Sequence, residues 1–426
     1  MTLLLRGARI VDPSQDLDRQ TDLLLADGLV VQLGDAIEAG EGVEVMELAG
    51  KVVTPGLIDV HTHLREPGQE HKETIESGTR AAAAGGFTAV ACMANTEPVN
   101  DNRSVTEHIL SEARRHSYAR VYPIGAITKG LRGEELAEIG QLSAAGVVGI
   151  SDDGRPVESA ELMRRALSYS RHFDLPVIQH AQDMALSGSG VMHEGAWSTQ
   201  MGLPGIPGVA EDAMVARDLL LVELTGGRYH LQHLSTERSL QLIQEAKGRG
   251  LQVTCEVTPH HLLLTDEAVF ESGMSTDTKM NPPLRQESDR LALLEGLADG
   301  IIDLIASDHA PHHPDEKDCE FSDAPFGIVG LETTVSLCLD RLVAGGVLTL
   351  SRLIDLLSCR PAQVFGLEGG SLKEGSAADV TILDLEAEVT VDPRSFLSKA
   401  RNSPFGGWQL KGAPVRTILA GRLVEP

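Results

Sequence analysis

FTAVACMANTEPVNDNRSVTEHILSEARRHSYARVYPIGAI, residues 87–127, is the stretch on which the fold turns. An apolar run at 87–94 passes through a turn-rich segment into SVTEHILSEARRHS, a helical pattern, and a second apolar run follows at 120–127. A strand, a helix and a strand in that order form the unit that parallel pairing demands, because a parallel neighbour is reached only by a long crossover. The unit recurs along the chain. Strand-like runs stand at 56–61, 87–94, 120–127, 147–151, 176–180, 228–233, 252–257 and 302–307, and helical patterns such as GEELAEIGQLSAAG and SAELMRRALSYSRHFD lie between most of them. Eight strands alternating with helices over about 250–310 residues predict an α/β protein built on a (β/α)8 TIM-like barrel. An open doubly wound sheet comes second, since no GxGxxG or Walker pattern opens a strand-to-helix turn.

The two ends read differently. LLLRGARIVDP and DLLLADGLVVQLG open the chain, with Asp27-Gly28 between two apolar runs where a hairpin turn belongs; ADVTILDL, AEVTV and PVRTILAGRLVEP close it. Neither end has enough apolar surface to fold alone, so they are expected to meet in one small β-sandwich domain, residues 1–54 plus 368–426, with the barrel at 55–367 inserted between them. A chain of 426 residues exceeds what one core usually serves, which fits two domains.

Composition excludes several classes of function. With 36 Lys+Arg against 62 Asp+Glu, the net charge of -26 would repel a phosphate backbone, so no nucleic-acid partner is expected. Cys92, Cys255, Cys319, Cys338 and Cys359 are odd in number, scattered and never in a CxxC pair. Neither a disulfide framework nor a thiolate metal site is indicated, and a reducing cytoplasm fits best. The N-terminus shows no basic segment followed by a long apolar one, and no apolar run approaches the roughly 20 residues a bilayer span needs. A soluble, cytoplasmic protein without a membrane partner is expected.

Barrel proteins gather their chemistry at the C-terminal ends of the strands. Strand one ends in His61-Thr-His63, strand four in Ser151-Asp152-Asp153, strand five in Gln179-His180, strand six in Gln232-His233 and strand eight in Ser307-Asp308-His309. Residues i and i+2 of a strand share a face, so His61 and His63 can grip one ion together. A single buried histidine is more often a core residue than a ligand, but five strand ends converging point to a metal. Imidazole and carboxylate donors suit Zn²⁺, and four histidines with two aspartates are too many for one tetrahedral centre but enough for two ions sharing a bridge. Such a pair holds a hydroxide and polarises a carbonyl, the chemistry of amide or ester hydrolysis.

DVHTHLREPG, MANTEP, SDDG, IQHAQD, LQHLST, TPHHLLLTD, KMNPPLR and SDHAPH follow in an order that resembles the dihydroorotases of the bacterial class I type, within the amidohydrolase superfamily, and the likeness extends to the C-terminal NSPFGGWQLKGAPVRTILAGRLV. The resemblance implies a small-molecule enzyme interconverting N-carbamoyl-L-aspartate and L-dihydroorotate in pyrimidine synthesis. It implies two zinc ions: His61, His63 and Asp308 on the first, His180 and His233 on the second, with a strand-four carboxylate and a hydroxide between them. The wider superfamily usually bridges with a carboxylated lysine, but GVVGISDDGRPV contains none, and the class I pattern points to Asp153, with Asp152 in a strand-capping or supporting role. Arg65, Asn95 and His312 match the residues that hold the substrate's α-carboxylate in this family, Asn281 and the backbone at Phe326-Gly327 those that meet the ring amides, and Asp308 the proton shuttle. A homodimer and a complex with aspartate carbamoyltransferase are the partners the resemblance suggests.

Other histidines are set aside. His260 and His261 follow strand seven with no ligand vacancy left for them; His309 and His313 stand beside functional positions in a supporting capacity; His71, His108, His116, His172, His193 and His230 have no evident partner. Segment 312–325, HHPDEKDCEFSDAP, reads either as a mobile lid or as an ordinary solvated loop. The competing functions are a hydantoinase, dihydropyrimidinase or allantoinase on the same barrel, and a non-catalytic structural partner of aspartate carbamoyltransferase. Retained ligands argue against the second, and the missing lysine together with Arg65, Asn95 and His312 argues against the first.

Overall fold

The protein is described here by a computed structural model, over residues 2–426. Eight short strands run through its middle: β1 (Leu57–Thr62), β2 (Phe87–Cys92), β3 (Arg120–Pro123), β4 (Ile150–Ser151), β5 (Val177–Gln179), β6 (Tyr229–Leu231), β7 (Val253–Val257) and β8 (Leu304–Ile305). All pair in parallel, as β1-β2-β3 in one sheet and β4-β5-β6-β7-β8 in another. Parallel bridges link the sheets on both sides, Gly125 to Ile150 and Thr62 to His309. Each strand falls within a run expected from the sequence or one residue beyond it.

Side-chain alternation explains why these runs are strands. Ile58, Val60, Ala89, Ala91, Ile124, Ile178, Leu304 and Ala306 pack into one buried cluster, while Leu57, Phe87, Val90, Val177, Leu231, Val253 and Ile305 pack with the crossover helices in another. A strand buried on both faces must be apolar on both, which is why the runs read as continuous rather than alternating. The helices begin at sequence-encoded caps. Asn102 accepts from the N–H groups of Ser104 and Val105 at the head of Arg103–His116, and Ser159 from Leu162 N at the head of Ala160–Ser170. One expectation is shortened: GEELAEIGQLSAAG is helical only over Ile139–Ala145. Its first half is a turn, closed by Lys129 N–H donating to Glu135 O, with Gly133 at φ 69°.

The chain ends do meet. Strand Val52–Pro55 pairs in parallel with Thr2–Asp12 and antiparallel with Val380–Thr390, stitching both ends into one eight-stranded sheet. Asp27 and Gly28 both have positive φ between the paired residues Ala26 and Leu29, the geometry of a tight hairpin. Where a sandwich was expected, the strands are hydrogen-bonded as a single branched sheet. The branch lies at Thr2–Asp12, where a register shift around Gly7 lets Glu44–Glu47 pair with its first half and Val52–Pro55 with its second. ADVTILDL and AEVTV are likewise one bulged strand, Val380–Thr390. Leu3, Leu5, Ile10, Leu23, Leu25, Val53, Val380, Ile382 and Ile418 fill its core. Segment 396–405 packs on the chain that follows β8, where Phe396, Ala400 and Phe405 meet Val329 and Leu337. Among the described residues no helix is long and apolar enough to cross a membrane.

Candidate metal centre

His61 lies at the end of β1 and His63 just beyond it, and the His63 N–H donates to His309 O at 2.8 Å, tying the end of β1 to the segment after β8. Asp308 enters from that segment. Its Oδ1 is 3.1 Å from His63 Nε2 and 3.3 Å from His61 Nε2. Opposite them, His180 Nδ1 stands 2.9 Å from His233 Nε2. Asp153 lies between the pairs: its Oδ2 is 3.3 Å from His63 Nε2 and 3.6 Å from His61 Nε2, its Oδ1 3.5 Å from His233 Nε2 and 3.6 Å from His180 Nδ1. Each carboxylate oxygen therefore faces one histidine pair.

Asp152, its neighbour, is turned away. Its Oδ1 accepts from the N–H groups of Ile127 and Thr128 at 2.8 and 2.9 Å, and the Thr128 hydroxyl donates to Oδ2. It fastens the loop after β3.

Electrostatics and hydrogen bonding make this donor set fit a cation. Burial works against charge on His61, yet Asp308, Asp153 and Glu256 outweigh it and push the imidazole well above its ordinary range. Asp308 is held below the usual carboxylate range because His61 and His63 outweigh its burial. Positive charge is wanted at the point where the rings and carboxylates converge. His180 Nε2 donates to Gln182 Oε1 at 2.9 Å and His63 Nδ1 to Asn95 Oδ1 at 3.0 Å, so the other nitrogen of each ring carries a bare lone pair facing the centre. Three overlapping groups, His61–His63–Asp153, Asp153–His180–His233 and His61–His233–Asp308, bring their ligand atoms within 4.8 Å of one another.

A cavity of about 340 Å³ opens over these side chains. His63, Arg65, Asn95, Asp153, His180, His233, Asn281, Asp308, His312, Phe326 and Gly327 line it; His61 alone of the expected site residues lies beneath, fully buried. Arg65, His233 and Asp308 all have positive φ (62°, 32° and 46°), a conformation costly for non-glycine residues that the surrounding pairing holds in place.

Arg65 is buried and makes no salt bridge among the described residues; its Nε donates to Pro311 O at 3.1 Å, and burial lowers it to about 10, still charged. Asn95 spends its oxygen on His63, and its amide nitrogen reaches Asp153 O at 3.5 Å, leaving one N–H for the cavity. His312 Nε2 donates to Phe326 O at 2.8 Å, leaving Nδ1 buried without a hydrogen bond; burial, then Arg65, push this ring down to about 2. Asn281 donates to Gln182 Oε1 at 2.7 Å while its own oxygen is unpartnered.

At Phe326-Gly327 the polar groups are less free than the sequence suggests. Gly327 N–H donates to Lys279 O and its carbonyl accepts from Asn402 Nδ2. Gly327 contributes shape: at φ 151°, a Cβ there would lie 2.7 Å from Ala310 O and 2.9 Å from the His312 ring. Segment 312–325 is pinned in this conformation. Lys279 Nζ donates to the carbonyls of Phe321 and Ser322, and Lys317 Nζ to those of Thr276 and Pro325.

Sequence reading missed the residues that orient the ligands. Glu256, Gln182 and Asn402 touch ligand or cavity residues, and His230, set aside for want of a partner, contacts Glu256 at 3.0 Å. Only Glu256 carried a signal, an acid inside the strand run 252–257. His309 is 3.3 Å from Glu73, and His261 is held between Thr258 and Pro282 O, both away from the ligand cluster.

A family model described as dihydro-orotase-like matches residues 50–239. The dihydroorotase of Geobacter metallireducens is 53% identical across 100% of this chain and 99% of its own. That of Anaeromyxobacter dehalogenans is 55% identical across 99% and 98%. Among solved structures, the L-hydantoinase of Arthrobacter aurescens superposes with a TM-score of 0.89 at 26% identity, covering 99% of this chain and 95% of that one. Identity above half over the full chain shows that the protein belongs to the dihydroorotase family.

Proposed function

We propose that the protein is a zinc-dependent cyclic amidohydrolase that interconverts N-carbamoyl-L-aspartate and L-dihydroorotate for pyrimidine synthesis. The observation that carries this reading is Asp153, whose two oxygens each face a separate histidine pair. His61, His63 and Asp308 would hold one ion, His180 and His233 the second, and Asp153 both. When bound, the ions lower the pKa of a water and polarise the carbonyl it attacks.

This chain's own residues do the rest. Arg65 offers a planar fork of donors, and Asn95 an amide N–H, to the substrate's α-carboxylate. His312 can join them only by taking a proton at Nδ1, because Nε2 is already committed to Phe326 O. The unpartnered Asn281 oxygen is placed to accept a ring N–H. Asp308, kept ionised, accepts a proton from the attacking water and returns it to the departing ring nitrogen. In the synthetic direction the ureido nitrogen attacks the side-chain carboxyl, and water leaves. Ring closure consumes one proton overall, since two carboxylates become one, so closure is favoured at lower pH and opening at higher pH. An equilibrium ratio that does not change with pH would contradict this.

The same reading takes the eight parallel strands, bridged on both sides, as a closed (β/α)8 barrel at 55–367, with 1–54 and 368–426 as the structural β domain, in a cytoplasmic enzyme. A homodimer and a complex with aspartate carbamoyltransferase belong to it as partners. The rival is a hydantoinase-like activity, which the similarity to the Arthrobacter enzyme favours. No lysine is among the residues lining the cavity, and among the described residues Arg65 makes no salt bridge, its Nε donating to Pro311 O. Zinc-loaded protein offered N-carbamoyl-L-aspartate, L-dihydroorotate, hydantoin, dihydrouracil and allantoin should turn over the first pair alone. Turnover of hydantoin or dihydrouracil in preference would favour the rival.

A further inference from the structure

Behind the metal centre runs a chain of four side chains, three of them fully buried, that neither the family likeness nor the cavity accounts for. His61 turns Nε2 toward Asp308 and Asp153, and its Nδ1 is 2.6 Å from Glu256 Oε1. The other oxygen of Glu256 is 3.0 Å from His230 Nε2, and His230 Nδ1 is 2.8 Å from Thr254 Oγ1. Strand geometry builds this row. Thr254 and Glu256 are two apart on β7 and so share a face, and the parallel register sets His230 of β6 opposite Thr254. His61, His230 and Glu256 are each at most 1% exposed, so the two hydrogen bonds to Glu256 are shielded from water.

Donor and acceptor roles fix the tautomers. A carboxylate only accepts, so His61 must carry its proton on Nδ1 and His230 its proton on Nε2; His230 Nδ1 is then bare and accepts from the Thr254 hydroxyl. Gln232 Nε2 also lies 3.3 Å from His61 Nδ1, but an amide N–H cannot serve that proton as an acceptor. With Glu256 holding the proton on Nδ1, Nε2 is the nitrogen left to give up its proton to an incoming ion, and it is the atom that faces the ligand cluster.

We infer that Glu256, braced by His230, is a positioning residue for the metal centre: it locks His61 in the tautomer and orientation that present Nε2 to one of the two ions. The inference rests on the proposed metal-dependent function. It predicts a selective effect, because His180 is oriented by Gln182, and neither it nor His233 touches Glu256.

The test is zinc affinity, measured by competition with a chromophoric chelator on the full chain. Wild type should bind two ions. Glu256→Gln should weaken one of them by about 10–100-fold, the usual effect of removing an outer partner of a ligating histidine, and leave the other within about twofold. Glu256→Ala should weaken the same ion further. In a His61→Ala background, Glu256→Gln should cost nothing more, whereas in a His180→Ala background its effect should persist. Unchanged affinities in Glu256→Gln and Glu256→Ala would overturn the inference. So would equal weakening of both ions with a lowered melting temperature of the metal-free protein, or a further loss on top of His61→Ala. Failure of the wild type to bind zinc would instead bring down the metal reading itself, and this inference with it.

Discussion

Asp152 and Asp153 are chemically alike and adjacent, and only the direction of the chain after β4 separates them. Asp152 meets backbone N–H groups of the preceding loop; Asp153 meets four imidazoles. Asp153→Ala should therefore lose bound zinc by more than the about 10–100-fold that an outer partner costs, and Asp152→Ala should mainly destabilise the loop at 127–128. Metal counted in both variants checks this; full zinc content and activity in Asp153→Ala would remove it from the centre. Asp308→Asn keeps the shape but not the proton acceptor, and kcat should fall about 10²–10⁴-fold. At His312 the direction of a pH effect follows from its surroundings. Free, the ring is pushed down to about 2 by burial and Arg65, so it is neutral across the working range and must take up a proton to hold a carboxylate. Affinity is then present below the pKa reached in the complex and lost as pH rises through it, so KM for N-carbamoyl-L-aspartate should climb toward tenfold per pH unit there. His312→Gln should flatten that slope; an identical slope in the variant would exclude His312 as its source. The convergence of these histidines and aspartates could be read from the sequence because HxH, QH and DH stand at strand ends. Glu256 and His230 could not, since an acid and an imidazole 26 residues apart become partners only through the register of β6 on β7.

At the scale of elements, the strands were legible because both-sided burial leaves uninterrupted apolar runs, and the helices because their apolar positions recur at 3.6. The half-helix at 133–146 was not. Its composition favours a helix, but the backbone ahead of it is claimed by Asp152 and by the turn at Lys129–Glu135, and tertiary hydrogen bonds override propensity. Helix Arg103–His116 offers a clean test of a local signal. Asn102→Ala removes the acceptor for Ser104 and Val105 N–H and should cost about 1 kcal/mol, lowering the melting temperature while zinc content and kcat stay as they are. A change in kcat would mean that this helix also shapes the site.

Across the whole molecule, the terminal sheet is tied to the parallel strands rather than hung beside them. Arg120 of β3 pairs with the buried Asp379 at 2.6 Å, and Thr381 donates to Gly86 O at 2.7 Å. Arg120→Ala would leave Asp379 buried without its cation and should destabilise the protein by about 3 kcal/mol in chemical denaturation, with the substrate preference unchanged. The meeting of the ends was legible from their shared β-branched composition; the single branched sheet was not, because Val52–Pro55 pairs with the N-terminal strand and, across more than 300 residues, with the C-terminal one. All of these parts serve one claim, that two ions shared by Asp153 make this fold a dihydroorotase. The most direct measurement is turnover of L-dihydroorotate by metal-stripped protein as zinc is added back. The account predicts negligible activity without metal and a rise that completes at two ions per chain; full activity in the stripped protein, or none at two ions bound, would contradict it.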